Sequence, residues 1–177
     1  MCTVEPVHIK SINSLLVQVS RQLKEHGWAL ICTAYHGHPY QFTVGLQARW
    51  EHPELEVLGL TPDLGQVVLE RLIARVRDGQ RLGPGDFFSD VLKGYDLFVV
   101  DNPLDPAGLP LTGARLRVIW PDAHHRYPWQ PGCDPGCAAQ SLLIEPDGLD
   151  MHGLEVLFAR SGGMVRRVAR PLVQRTV

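Results

Sequence analysis

The chain lacks most of the features that would assign a function directly. None of its apolar stretches reaches the ~20 residues that a membrane-spanning helix requires, which argues against a membrane protein. Its 17 Lys and Arg residues are balanced by 19 Asp and Glu residues, and the net charge of −2 is not that of a typical nucleic-acid-binding domain. Residues 1–10 lack the basic and apolar segments of a secretory signal, so we expect a cytoplasmic protein.

Several common catalytic motifs are also missing. The sequence contains neither the glycine-rich patterns of dinucleotide-binding and P-loop proteins nor the GxSxG pattern of α/β-hydrolases. It has only four cysteines, Cys2, Cys32, Cys133 and Cys137. Because thiols stay reduced in the cytoplasm, we expect them to serve metal binding, catalysis or packing rather than structural disulfides.

The pattern of apolar residues predicts a single α+β domain over residues 1–145. Residues 8–25 repeat apolar side chains at helical spacing, and Thr61-Pro62-Asp63 has the residue types of a helix start. We expect an antiparallel sheet of about five strands packed against these two main helices, with a long Pro/Gly-rich loop after the last strand. The expected strands are residues 28–34, 41–46, 55–60, 95–100 and 114–120, the first three forming a meander.

Two further segments complete this expectation. Residues 114–120 alternate apolar and basic side chains, which predicts a half-buried strand with Arg115 and Arg117 on its outer face. Residues 146–177 are expected to form a C-terminal extension that is basic at its end, either a peripheral segment or an arm for a partner.

The stretch from Trp120 to Gln140 is the best candidate for a functional site. Its 21 residues include two histidines, two cysteines, two tryptophans and four prolines, so a regular helix or central strand is excluded. Cys133 and Cys137 have a spacing found in zinc sites, although packing in the core and a redox-active or disulfide-forming pair are alternatives. A site for zinc or another transition metal would draw its ligands from a set of six: His36, His38, His124, His125, Cys133 and Cys137.

Other residues suggest acid–base chemistry or ligand stacking. His52 and Glu54 could form an acid–base pair, and Asp122 and Cys133 could supply a carboxylate and a nucleophile. The alternative is that these polar side chains hold their own loops through hydrogen bonds to the backbone. Trp120, Tyr127 and Trp129 could stack on a planar ligand, or could simply pack in the core.

Taken together, several of these segments resemble a known family. The segments are FTVGL (42–46), HPELEVLGL (52–60) with the helix after it, WPDAHHRYPWQPGC (120–133) and QSLL (140–143). In this combination and order they resemble the bacterial family known as domain of unknown function 4262, over about residues 27–143. Cys137 and the residues beyond Glu145 lie outside the family pattern. The resemblance implies an uncharacterised bacterial protein and supports the choice of loop, but it implies no reaction.

Two classes of function follow from these observations. The first is a metal-dependent or other small-molecule enzyme, whose His, Cys and Asp side chains would converge in one cleft. The second is a non-catalytic module that binds a ligand or a protein partner through the aromatic residues of the loop. The sequence leaves open which small molecule or protein is bound and whether the chain forms a homo-oligomer.

Overall fold

A mixed β-sheet forms the centre of the protein in the computed structural model, which describes residues 7–8, 12–102 and 115–143. The predicted extension at 146–177 and the domain boundary at residue 145 lie outside these residues. The sheet has seven strands in the order β1-β2-β3-β4-β7-β6-β5. They are β1 (Val7–His8), β2 (Ala29–Tyr35), β3 (His38–Val44), β4 (Glu54–Leu58), β5 (Phe87–Leu92), β6 (Tyr95–Asp101) and β7 (Arg115–Ile119).

The α+β class is confirmed, while the sheet differs from the expected five-stranded antiparallel one. The meander β2-β3-β4 is antiparallel, as expected. However, β1 runs parallel to β2, and β4 runs parallel to β7. The parallel β4–β7 pair arises because a helix and the β5–β6 hairpin separate the two strands, and parallel neighbours need such a crossover connection. The short β1 and β5 are the further strands that the sequence pattern did not resolve.

Two long helices match the two predicted ones: α1 (Ile12–His26) and α3 (Pro62–Arg77). Three shorter helical segments accompany them: α2 (Leu46–Trp50), α4 (Pro135–Ala138) and a 3-10 helix (Ala139–Leu143). Within the described ranges, none of the helices combines the length and the apolar character that crossing a membrane would require.

The main core lies between α3 and one face of the sheet. Val68, Leu69 and Leu72 of α3 are completely buried and join one hydrophobic cluster with side chains of β4, β6 and β7. Not every apolar residue of α3 belongs to this face, because Leu64 and Val67 are exposed. Likewise, Leu16 in the predicted stripe of α1 is 58% exposed, whereas the polar Gln22 is buried and accepts a hydrogen bond from the N–H of Leu30.

The opposite face of the sheet carries a buried charged network that the sequence analysis missed. Glu56 of β4 lies beside Arg117 of β7, and both side chains are almost completely buried. The predicted outward orientation of Arg117 into solvent is therefore wrong. The reason is that β7 is covered on both faces, since four consecutive residues, Leu116 to Ile119, are all buried.

Candidate functional site

The 120–140 loop lies at the end of β4, where two glycines let it approach closely. Gly59 has a φ of +86°, and a Cβ atom there would collide with the carbonyl oxygen of Gly136. The indole N–H of Trp120 donates to the carbonyl of Leu58 at 2.8 Å. A side chain at position 59 would separate these segments, so the glycine is what permits the contact.

Gln140 holds the other end of the loop against its beginning. Its side-chain oxygen accepts from the N–H of Trp120 at 3.0 Å, and its amide nitrogen donates to the carbonyl of Trp120 at 2.8 Å. The same nitrogen donates to the carbonyl of Cys137 at 3.1 Å. Gln140 thus pairs with both backbone groups of Trp120, as buried backbone groups require.

Asp122 organises the interior of the loop. Its buried carboxylate accepts from the N–H groups of His124, Arg126 and Asp134 and from Nε of Arg126, at 2.8–3.1 Å. Burial opposes ionisation of Asp122, but the hydrogen bonds from the Arg126, His124 and Asp134 backbone and the Arg126 guanidinium together hold its pKa below the usual value. Because these donors occupy both oxygens, the geometry favours a loop-fixing role for Asp122 over catalysis.

His52 and Glu54 are also engaged by their surroundings. The buried His52 ring accepts from the N–H of Leu82 at Nε2 (3.0 Å), so Nδ1 carries the proton and donates to the carbonyl of Pro53 (2.7 Å). Burial is the main reason why its pKa is lowered. Glu54 accepts from the Thr43 hydroxyl at 2.7 Å and from the N–H of Gly45 at 2.8 Å. Each side chain thus fixes a loop, as the alternative interpretation expected.

The six predicted metal ligands lie on two segments of the chain, the β2–β3 hairpin and the 120–140 loop. His36 and His38 lie at the β2–β3 hairpin, and His124 and His125 lie on the surface of the 120–140 loop. Within the described residues, no group of three or more His, Cys, Asp or Glu side chains is arranged to hold a metal ion. A metal bound by all six residues would therefore require a different arrangement of these segments.

Cys133 and Cys137 are neighbours at the start of α4. Cys137 is completely buried, and its thiol donates to the carbonyls of Arg126 (3.3 Å) and Trp120 (3.5 Å). Burial, and next the adjacent Cys133, raise the pKa of Cys137 to about 12. Cys133 is half-buried, and its thiol donates weakly to the carbonyl of Pro128 at 3.7 Å. The two thiols thus share one environment but differ in exposure.

The predicted ligand-stacking residues have unequal exposure. Trp120 and Tyr127 are buried, and the Tyr127 hydroxyl donates to the carbonyl of Asp96 at 3.0 Å. Trp129 is half-buried, and its ring stacks on that of Tyr127 with centroids 4.9 Å apart and planes 4° apart. The exposed His125, not predicted for stacking, lies on the ring of Tyr95 at 5.5 Å. We call Tyr95, His125, Tyr127 and Trp129 the aromatic face.

The aromatic face is held rigidly. Tyr127 packs in a cluster with Phe98 and Ile119 of the sheet. His125 has a φ of +60°, and its N–H donates to the carbonyl of Asp122 at 2.8 Å. Tyr95 is the first residue of β6, immediately before the Asp96 carbonyl that Tyr127 binds. Tyr127 is thereby joined to the backbone next to Tyr95, and hydrogen bonds fix the backbone of the loop at His125.

A second cluster of polar side chains, around Glu56, was not predicted as a site. Glu56 accepts from the hydroxyl of Tyr40 (2.7 Å), Nδ2 of Asn102 (2.6 Å) and Nε of Arg117 (2.8 Å). Arg115 lies 3.6 Å from the same carboxylate. Burial, and then the nearby Glu56, raise the pKa of Tyr40 well above its usual value, so its hydroxyl remains a donor. The signal in the sequence was a glutamate within an otherwise apolar strand, LEVL.

Comparison with known proteins gives one match. Residues 22–134 match the family described as domain of unknown function (DUF4262). The matched range ends at Asp134, so it includes Cys133 and most of the 120–140 loop but not Cys137 or Gln140. No curated protein and no solved structure matches the chain.

Proposed function

We propose that this chain, which belongs to the DUF4262 family of domains of unknown function, is a non-catalytic binding module that recognises its partner through the aromatic face. The observation that carries the proposal is the pair of ring stacks, Tyr127 on Trp129 and Tyr95 on His125. Rings held in fixed orientation lose little conformational entropy when they bind, which favours recognition.

The competing hypothesis is a metal-dependent or small-molecule enzyme at the same loop. Such an enzyme needs several polar groups that converge on one reacting atom. In the described residues, the carboxylate of Asp122 is occupied by donors within the loop, and both His52 ring nitrogens are engaged with the backbone. These contacts support the binding module over the enzyme.

The chemistry of the aromatic face suggests what it binds. Aromatic rings attract other rings in offset or edge-to-face geometry, and such pairs contribute about 0.5–1.5 kcal/mol beyond burial of area. We therefore propose a planar group as the recognised feature, either in a small ligand or on an aromatic side chain of a protein partner. We also propose that the protein is bacterial and cytoplasmic. The free thiols of Cys32, Cys133 and Cys137 are compatible with a reducing compartment.

The proposal can be tested by a binding screen with planar compounds, for example indoles, nucleosides and aromatic dipeptides, followed by titration of the hits. Trp129→Ala and His125→Ala should each weaken binding of a true ligand about 2- to 10-fold, the factor that corresponds to one ring contact. His36→Ala is a matched control, because His36 is also exposed, has a φ of +48° and contacts a tyrosine ring, that of Tyr35.

Two results would contradict the proposal. The first is a ligand whose affinity is the same in the wild type, Trp129→Ala and His125→Ala, provided that the variants keep the wild-type melting temperature. The second is a stoichiometric transition metal in the purified protein that Cys133→Ser removes, since this would favour the metal-dependent enzyme.

A further inference from the structure

Cys133 and Cys137 are fixed in a tight turn at the start of α4. Asp134 caps this short helix, because its side chain accepts from the N–H of Cys137 at 2.9 Å. The N–H of Cys133 donates to the carbonyl of Gln130 at 3.4 Å, and Pro135 occupies the first helical position. The backbone at both cysteines is therefore held by local hydrogen bonds, and Pro135, whose ring fixes its φ angle, lies between them.

The two sulfur atoms face the same part of the loop. The thiol of Cys133 donates to the carbonyl of Pro128, and that of Cys137 donates to the carbonyl of Arg126, two residues earlier. Cys133 also packs against the hydrophobic cluster that contains Cys137, and Cys133 is close enough to contribute to the raised pKa of the Cys137 thiol. Two cysteines four positions apart on one fixed turn, with both thiols directed at the carbonyls of residues 126–128, are placed to form a disulfide with little backbone movement.

We propose that Cys133 and Cys137 form a reversible dithiol/disulfide pair, in which Cys133 reacts first with a low-molecular-weight disulfide and Cys137 resolves the product. This function is separate from ligand binding by the aromatic face. The assignment of roles follows from exposure, because Cys133 is half-buried whereas Cys137 is completely buried. Only the first thiol can be reached by a reagent from solution.

The reaction proceeds by two thiol–disulfide exchanges. The thiolate of Cys133 attacks one sulfur of the small disulfide, forms a mixed disulfide and releases one small thiolate, which takes up a proton. Cys137 then loses its proton and attacks the Cys133 sulfur, which forms the internal disulfide and releases the second small thiol. Two protein thiols are oxidised and one small disulfide is reduced to two thiols, so no other oxidant is needed.

The two carbonyls that accept from the Cys137 thiol keep other donors in the disulfide form. When the disulfide forms, the carbonyl of Trp120 still accepts from the Gln140 side chain at 2.8 Å. The carbonyl of Arg126 still accepts from the N–H of Asp122 at 2.8 Å. Oxidation therefore leaves neither of these carbonyls without a donor, and avoids the cost of a buried unsatisfied group.

The experiment is equilibration of the full chain in buffers of oxidised and reduced glutathione, followed by acid quenching, alkylation of remaining thiols, and peptide mass analysis. Trypsin cleavage after Arg126 and Arg160 places both cysteines, and no others, on one peptide. In the wild type we expect this peptide to lose two hydrogen atoms and to escape alkylation, and excess reduced glutathione should reverse both changes.

The variants distinguish the roles of the two thiols. Cys137→Ser should accumulate glutathione on Cys133, whereas Cys133→Ser should take up little glutathione at Cys137. Cys32→Ser is the control for a buried cysteine elsewhere, and it should leave the internal disulfide unchanged. If Cys137→Ser does not fold, Cys133→Ser still provides a test, because position 133 is only half-buried. In this variant the internal disulfide must be absent.

Three outcomes would overturn the proposal. The first is a wild-type peptide that remains fully alkylated even in the most oxidising buffer. The second is a stable mixed disulfide on Cys133 of the wild type that does not convert to the internal disulfide. The third is a disulfide that joins Cys133 or Cys137 to Cys2 or Cys32. The measurement does not involve the aromatic face, so its result is independent of the test of ligand binding.

Discussion

Replacement of Glu56 by glutamine tests the buried charged network most directly. The side chain of Glu56 is 0% exposed and that of Arg117 only 3%, and the two are joined at 2.8 Å. Removing one partner of a buried ion pair costs about 3–5 kcal/mol, because the other charge remains buried. The amide also offers donors where Tyr40 and Asn102 already donate. We therefore expect Glu56→Gln to lower the free energy of unfolding by about 3–5 kcal/mol.

The assay is urea unfolding, with the m-value as an internal check that only stability has changed. For a chain of this length, 1 kcal/mol shifts the melting temperature by about 2–4 °C, so about 3–5 kcal/mol corresponds to about 6–20 °C. Asp90→Asn is a matched control, since Asp90 also pairs with an arginine, Arg75, but its side chain is 68% exposed. That change should cost less than about 1 kcal/mol.

The result that would refute this reasoning is a similar, small effect of Glu56→Gln and Asp90→Asn. Equal effects would mean that water reaches Glu56 and Arg117 and that burial does not strengthen their interaction. A large loss in Glu56→Gln together with a small one in Tyr40→Phe would instead show that the charge dominates. Tyr40 contributes a single hydrogen bond to the carboxylate, and a typical one is worth about 0.5–1.5 kcal/mol.

Two further predictions concern the supports of the loops. Gly59→Ala should destabilise the protein by at least about 2 kcal/mol in urea unfolding. The added Cβ would collide with the Gly136 carbonyl, and alanine is also disfavoured at the positive φ of this position. Gly79→Ala, with a similar φ but open space around it, should cost only about 1–2 kcal/mol, and equal losses would disprove the collision. Burial lowers the pKa of His52 in the folded protein. The unfolded chain therefore binds a proton at His52 at a higher pH than the folded chain does. As a result, the free energy of unfolding should fall as the pH drops below about 6.5 towards the folded-state pKa. His52→Gln should flatten this slope in urea midpoints compared at several pH values, and an unchanged slope would contradict the assignment.

The helices and most strands could be predicted from the sequence because their apolar residues follow a regular period. The start of α3 at Pro62 and the hairpin turn at His36-Gly37 depend on local chemistry, which the sequence shows directly. The parallel pairing of β4 with β7 depends on contacts between residues about 60 positions apart, such as Glu56 with Arg117. No local pattern specifies such a pairing, so the alternation in β7 was interpreted as a strand with one solvent-facing side.

The candidate site shows the same limit. The sequence indicated a loop rich in polar and aromatic side chains, but not which of them would form hydrogen bonds with the backbone of the loop itself. Asp122 and Gln140 are recognisable in the sequence as polar residues of the 120–140 loop, whereas their hydrogen bonds appear only when the loop closes on itself. The stacking of His125 on Tyr95 joins the loop to a hairpin 30 residues earlier in the chain, and the spacing of residues in the sequence contains no signal for it.

The position of Glu56 opposite Arg117 has a consequence for how the sheet is assembled. This contact divides the sheet into two halves, β1 to β4 and β5 to β7, and each half consists of strands that follow one another in the sequence. The two halves meet where β4 pairs with β7, which we call the seam. A slip of β7 by one residue would bring Leu116 or Val118 opposite Glu56 and turn the guanidinium of Arg117 towards the apolar core under α3. Such an offset pairing would bury two opposite charges without their partners. The ion pair thus favours a single register between β4 and β7. Apolar side chains at these two positions would favour that register less strongly, because one apolar side chain can replace another.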